Sequence, residues 1–218
     1  MTTQSTRTLG AILYEGFELL DIYGPLEMFG SLGPERLRLV SVAEKPGPVA
    51  SAQGPQAVAT HGYDDCPRLD LLLVPGGIGT LAQLGNAALH EFLRARSRTA
   101  EATLSVCSGS AILAKAGLLD GRRATSNKQF FSLATSQSDK TMWVEKARWV
   151  EDGPFVTSSG VSAGMDMALA VIAKLWGREI ADLIAAGTEY EWHTDATHDP
   201  FHKFLNQGAA LAAKAQGA

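Results

Sequence analysis

With 218 residues, 45% hydrophobic and 19% charged, the chain has the make-up of a globular protein with length for one sizeable α/β domain. A formal net charge of −4 without a dense Lys/Arg patch speaks against a nucleic-acid partner; Arg94, Arg96, Arg98 and the pair Arg122–Arg123 read as solvated charges. Residues 1–8 lack the apolar core of a signal peptide, no apolar run is long enough to span a bilayer, and Cys66 and Cys107 make neither a disulfide framework nor a metal-site spacing. A cytosolic protein with Cys107 as a free thiol is expected.

The apolar run from Thr8 to Leu13 predicts a first buried strand, ended by Gly16. A helix is expected from about Pro25 to Ser31, because proline suits a first helical turn. Leu37 to Ala43 alternates as a second strand, and Pro46-Gly47-Pro48 breaks it. Small and β-branched residues from Val49 to Thr60, around Gln53-Gly54-Pro55, suggest a hairpin or edge ribbon.

Leu69 to Val74 is nearly all apolar, as a strand covered on both faces of a parallel sheet should be. It runs into the glycine-rich loop Pro75-Gly76-Gly77-Ile78-Gly79, which lacks the Lys-Ser/Thr of a phosphate loop and reads as a tight turn. A helix follows from about Ala87 to Arg98, then a strand from Thr103 to Cys107 and a helix from Ala111 to Ala116. A short helix is expected from Asn127 to Leu133. Asp152-Gly153 between two apolar runs predicts a hairpin, with Trp143 and Trp149 as partly buried anchors. Ala163–Trp176 and Glu179–Ala186 read as core helices, and the Ala-rich tail from Lys203 as helical or frayed. Strands alternating with helices give a layered α/β fold with a mostly parallel sheet: one domain over 1–218, with its core at about 8–186 and a C-terminal segment at 187–218.

Ligands in such folds bind beyond the carboxyl ends of the strands. Asp21, Gly77 and Cys107 follow three such ends. Cys107 sits where a strand stops and a helix starts among small residues, the geometry of a nucleophile elbow with Cys in place of Ser. A helix N-terminus there favours thiolate. Packing as a small buried hydrophobe is the other reading of a free cysteine. For Asp21 the alternatives are a proton carrier beside the thiol or a helix N-cap before Pro25. A carboxylate and a thiolate in one small site cannot both ionise cheaply, so one pKa must rise. The expectation is that Asp21 keeps the proton and Cys107 the negative charge.

The stretches from Gly16 to Pro25, Leu73 to Gly77, Val106 to Ser110 with Ala114 to Gly121, and Ser159 to Asp166 together resemble the ThiJ/PfpI superfamily, related to class I glutamine amidotransferase domains. The resemblance runs from about Thr8 to Ala186 and implies a flavodoxin-like three-layer sandwich. Asp21-Ile22-Tyr23-Gly24-Pro25 is similar to the isocyanide hydratase branch, shared with the sensor halves of certain AraC-type regulators. What this implies is a cofactor-free lyase taking a small electrophile, an isocyanide, to an N-substituted formamide. Cys107 would attack the terminal carbon to give a thioimidate. Asp21 would protonate that carbon and later help activate water, and Ser108 would orient Asp21 or the water. Gly76, Gly77 and the Ser108 N–H would stabilise developing negative charge, with Ser126, Asn127 and Trp192 lining the pocket. A homodimer packed near the elbow is the family expectation.

Departures bear on the substrate. Protease-like relatives carry a histidine directly after the cysteine, where this chain has Ser108. The segment often reading Ala-Thr-Thr-His-Trp is here Ala124-Thr125-Ser126-Asn127-Lys128. Asn127 reads as a substrate contact or a helix cap. Glyoxalase- or deglycase-like chemistry on α-oxoaldehydes remains an alternative, although that branch usually has Glu at the acid position. A ligand- or oxidation-sensing domain is another. His193, His198 and His202 match no standard metal spacing, with Pro200 interrupting, so no metal or cofactor is expected. Cys66 reads as incidental.

Overall fold

A computed structural model describes residues 6–216. Its centre is a six-stranded sheet. The strands and helices that position the site follow the sequence closely. β1 (Arg7–Ile12) leads to α1 (Leu19–Gly30), β2 (Leu37–Val42) and the ribbon β3 (Gly47–Ala50) and β4 (Gln56–Ala59). β5 (Leu71–Val74), α2 (Thr80–Gln83), α3 (Ala87–Ser97), β6 (Ala102–Ser105) and α4 (Gly109–Lys115) make the middle of the chain. After them come β7 (Arg123–Ala124), α5 (Phe131–Thr135), β8 (Met142–Trp143), β9 (Trp149–Asp152) and β10 (Phe155–Ser158). Helices α6 (Ala163–Trp176), α7 (Arg178–Gly187) and α8 (Gly208–Gln216) close it, with a 3-10 turn at Pro200–Phe204.

β1 pairs in parallel with β2 on one side and β5 on the other, and β6 and β10 continue in parallel. Only β9 runs antiparallel, as the predicted hairpin partner of β10. Every residue of β5, β6 and β10 is buried, which explains their lack of alternation. Helices α1, α6 and α7 pack together as one layer, while α2, α3 and α5 pack on α4 as another. The result is the flavodoxin-like three-layer sandwich. The chain passes from β1 to β2 on one side and returns to β5 on the other. Their carboxyl ends therefore open a crevice at the switch point.

Three expectations are corrected. Helix α1 begins at Leu19, not near Pro25, which lies inside the helix. Pro25 has no N–H to give the Asp21 carbonyl four residues back, so the helix forgoes that bond here. Asp21 is thus inside the first helical turn and is no N-cap. The helix expected over Asn127–Leu133 forms instead at Phe131–Thr135, after a turn. The short parallel pair β7–β8 was not visible in the pattern. Among the described residues no helix is long and apolar enough to cross a membrane.

Candidate active site

Cys107 ends the β6 segment with φ +57°, a left-handed conformation that a side-chain-bearing residue adopts only under constraint. The constraint is visible in the backbone. The Cys107 N–H donates to the Ser159 carbonyl at 3.1 Å. Its carbonyl accepts from the Ser110 and Ser126 hydroxyls at 3.2 and 3.1 Å. Small residues permit the turn: a Cβ on Gly109 would strike the Val74 carbonyl, and one on Gly76 would sit 2.5 Å from the Ser108 nitrogen. The result is the sharp strand-to-helix elbow expected, with the cysteine 8% exposed.

Asp21 reaches the same point from α1. It is fully buried, and its Oδ2 accepts the Gly76 N–H at 2.7 Å. Its Oδ1 has no hydrogen-bond partner. Burial pushes its pKa up to about 8; the Gly76 N–H opposes the rise, the Glu18 charge adds to it, and the neighbouring Cys107 thiol opposes it. Asp21 therefore carries its proton at neutral pH. Cys107 is also pushed up, first by burial and then by the Asp21 charge. This corrects the expectation of a resting thiolate: loss of water outweighs the donors around the sulfur. Those donors are the Ser108 N–H, the Asn127 side chain and the Val161 N–H. They are placed to hold negative charge once the thiol proton leaves.

Asn127 neither caps the helix at Phe131–Thr135, whose N-cap is Phe130, nor stands apart from the thiol. Its Oδ1 accepts the Phe130 N–H at 3.0 Å, capping the turn. That bond leaves Nδ2 facing Cys107 Sγ at 3.1 Å. Ser108 differs from expectation: its hydroxyl meets Thr80 Oγ1 at 2.9 Å and accepts the Gly77 N–H at 3.3 Å, and does not pair with Asp21. Thr80 continues to the buried Tyr14 hydroxyl at 3.2 Å, which donates to the Pro75 carbonyl at 2.6 Å. The Gly76 N–H is committed to Asp21 and is a carboxyl clamp, not an oxyanion donor. Ser126 is buried, and its hydroxyl braces the elbow at the Cys107 carbonyl.

A cavity of about 440 Å³ opens over the sulfur. Glu18, Gly77, Cys107, Ser108, Asn127, Gln129 and Val161 form its polar and backbone parts, and Ile78, Leu81, Phe130 and Leu133 its apolar wall. Val161 has φ +45°, strained for a β-branched residue, and this turn presents its N–H to Cys107. Trp192 does not line this cavity: its Nε1 donates to the Asp166 carbonyl and its ring lies under Arg178. Tyr14, Thr80, Glu18 and Val161 were missed in the sequence. The one available signal was that Tyr14 and Glu18 follow a strand end.

Elsewhere, Cys66 is buried with its thiol on the Pro67 carbonyl, and Trp149 is buried beside the hairpin. The His198 and His202 rings meet edge-on, and His202 Nδ1 pairs with the Asp199 carbonyl at 2.8 Å. A doubly held carboxylate lies nearby. Asp166 accepts from Arg148 Nε at 2.6 Å, the Tyr190 hydroxyl at 3.0 Å and the His193 N–H at 2.9 Å.

The site is a parallel α/β sheet's cysteine elbow beside a buried carboxyl, with Ser108 directly after the cysteine. Residues 9–174 match the model of the DJ-1/PfpI family, and the chain belongs to that family. It is similar to an isonitrile hydratase of Pseudomonas putida, 34% identical over 84% of this chain and 78% of that protein. It is also similar to the HTH-type transcriptional regulator GbdR of Pseudomonas aeruginosa, at 29% identity over 86% of this chain, but spans only 52% of the regulator. Among solved structures, a ThiJ/PfpI family protein from Pseudomonas syringae superposes with TM-score 0.80 at 33% identity, covering 97% of this chain and 88% of that one. Drosophila melanogaster DJ-1beta, at 20% identity and TM-score 0.75, covers 86% of this chain and all of its own, and shares the fold.

Proposed function

We propose that the protein is a cofactor-free hydratase that adds water to an isocyanide to give an N-substituted formamide. The observation that carries this reading is the pairing of a proton-bearing Asp21 with Cys107 where histidine is absent at Ser108. An isocyanide's terminal carbon is both electrophile and proton acceptor, so it needs a nucleophile and an acid at one atom. Similarity to a protein named isonitrile hydratase supports the same class.

In the first step the sulfur–carbon bond forms as Asp21 gives its proton to that carbon, and the Cys107 thiol proton replaces it on Asp21. The Ser108, Asn127 and Val161 donors stabilise charge on sulfur as the proton departs. A water then adds to the thioimidate carbon as Asp21 gives its proton to the nitrogen and takes one from the water. Collapse forms the carbonyl, breaks the carbon–sulfur bond, returns the hydroxyl proton to sulfur and releases the formamide. One isocyanide and one water give one formamide, and the pair is restored.

Incubation with an aryl isocyanide, monitored for the formamide, tests the reading. Methylglyoxal runs alongside, and Cys107→Ala is the control. Formamide from the wild type alone is the expected result; activity surviving in Cys107→Ala contradicts the mechanism. A second reading, a ligand-sensing module, rests on the similarity to GbdR, whose remaining half this chain does not span. Absence of turnover on both compounds, with ligand binding at the cavity, would favour it.

A further inference from the structure

The cavity over Cys107 is asymmetric in charge and polarity. Its wall carries Ile78, Leu81, Phe130 and Leu133, the first three of which stand 68%, 55% and 51% exposed. Large apolar side chains that exposed around a reactive thiol gain most by covering a ligand of the same character. Glu18 is the one Asp or Glu among the residues lining the cavity. Glu18 is not free to swing away. Its N–H donates to the Gly76 carbonyl at 2.9 Å, and its side-chain carboxylate is held by the Gln53 amide. No Lys or Arg lines the cavity to offset it.

We propose that Glu18 is a specificity-determining residue that excludes anionic substrates, and that the site takes a neutral electrophile with an apolar aryl or branched alkyl substituent. This deepens the proposed function and rests on it only for the identity of the reacting carbon. The mechanism is unfavourable Coulomb interaction: a substrate carboxylate would enter a cavity that already holds one negative charge and no cation. The substituent would lie along Phe130, Leu133, Ile78 and Leu81, with its reacting atom over Cys107.

Alkylation of Cys107 reads this selection without requiring any turnover. Iodoacetamide and iodoacetate react alike, sulfur–carbon bond forming as iodide leaves, but differ by one charge. Their rates at Cys107, followed by mass spectrometry and each divided by the rate with glutathione, should differ by about tenfold or more in favour of iodoacetamide. Glu18→Gln should shrink that ratio several-fold. Any effect of Glu18 on the Asp21–Cys107 proton balance cancels, because both reagents use the same sulfur. Glu91→Gln, on the exposed face of α3, removes the same charge elsewhere and should leave the ratio unchanged. In a second arm, N-benzyl iodoacetamide should outpace iodoacetamide, and Phe130→Ala should remove most of that advantage. Equal normalised rates for the two charge forms, a ratio indifferent to Glu18→Gln, or no benzyl preference overturns the proposal. Charge selection without isocyanide hydration would instead remove the hydratase reading and leave the substrate class intact. Hydration without charge selection would do the reverse.

Discussion

Asp21 and Asp166 are both fully buried, yet they are held in opposite ways. Asp166 is bracketed by Arg148, the Tyr190 hydroxyl and the His193 N–H, and Arg148 reaches Asp199 as well at 3.7 Å. Asp21 has one backbone donor, one oxygen without a partner, and a thiol for a neighbour. The first arrangement ties the segment from Tyr190 to Asp199 onto α6 and the hairpin. The second leaves a proton to move. Burial alone makes neither a strut nor an acid; the partner set decides, because a buried carboxyl without a cation resolves its desolvation by keeping its proton.

The comparison is broken most severely at the pair itself. On the proposed hydratase reading, Cys107→Ala should abolish hydration, and Asp21→Asn should lower kcat by roughly a hundred- to ten-thousand-fold, the range for losing a positioned general acid. Formamide production close to wild type in Asp21→Asn would show that the proton comes from elsewhere. At the strut, Arg148→Met strands Asp166 and should cost about 3–5 kcal/mol, lowering Tm by roughly 10 °C in a thermal melt. A melt within about 2 °C of wild type would mean that Asp166 finds other support.

Stability against pH sharpens the contrast. The folded pKa of Asp21 lies at about 8, above the ordinary carboxyl range. The stability gained from the proton it keeps is therefore full below about pH 4 and is lost as pH rises toward 8. Asp21→Asn removes this slope. Denaturant melts should show the variant gaining on the wild type between pH 5 and 8, and parallel curves would contradict the burial argument. Activity of the wild type should likewise fall as pH passes about 8, where Asp21 gives up its proton. The smallest effect belongs to Ser108→Ala. It interrupts the chain from Tyr14 through Thr80 to the Gly77 N–H and should cost about 1–3 kcal/mol in a denaturant melt, without abolishing activity.

The contrast also explains what the sequence could tell. Cys107, Asp21 and Gly77 were legible because each follows a strand whose apolar run marks the sheet centre, and a parallel sheet gathers such ends at one rim. The start of α1 was not legible: Pro25 imitates a first-turn residue, but the helix carries it inside and forgoes one hydrogen bond. The chain from Tyr14 to Ser108 requires β1 and the loop after β5 to meet, a contact no local pattern encodes. Trp192 was misplaced for the same reason. Its aromatic character suggested a pocket wall, but the Asp166 cluster holds its segment against α6, and the indole does not line the cavity. Asn127 was ambiguous in sequence because one amide can accept a backbone N–H and donate at once, and here it does both.

The central claim is that Asp21 and Cys107 titrate as a coupled pair. Thiolate absorbance near 240 nm, followed against pH in the wild type, in Asp21→Asn and in Cys107→Ala as the blank, tests it directly. Because the Asp21 charge raises the Cys107 pKa, removing it should bring the thiol's titration to clearly lower pH in Asp21→Asn. Superimposable titrations in the two proteins would contradict the coupling and with it the acid role of Asp21.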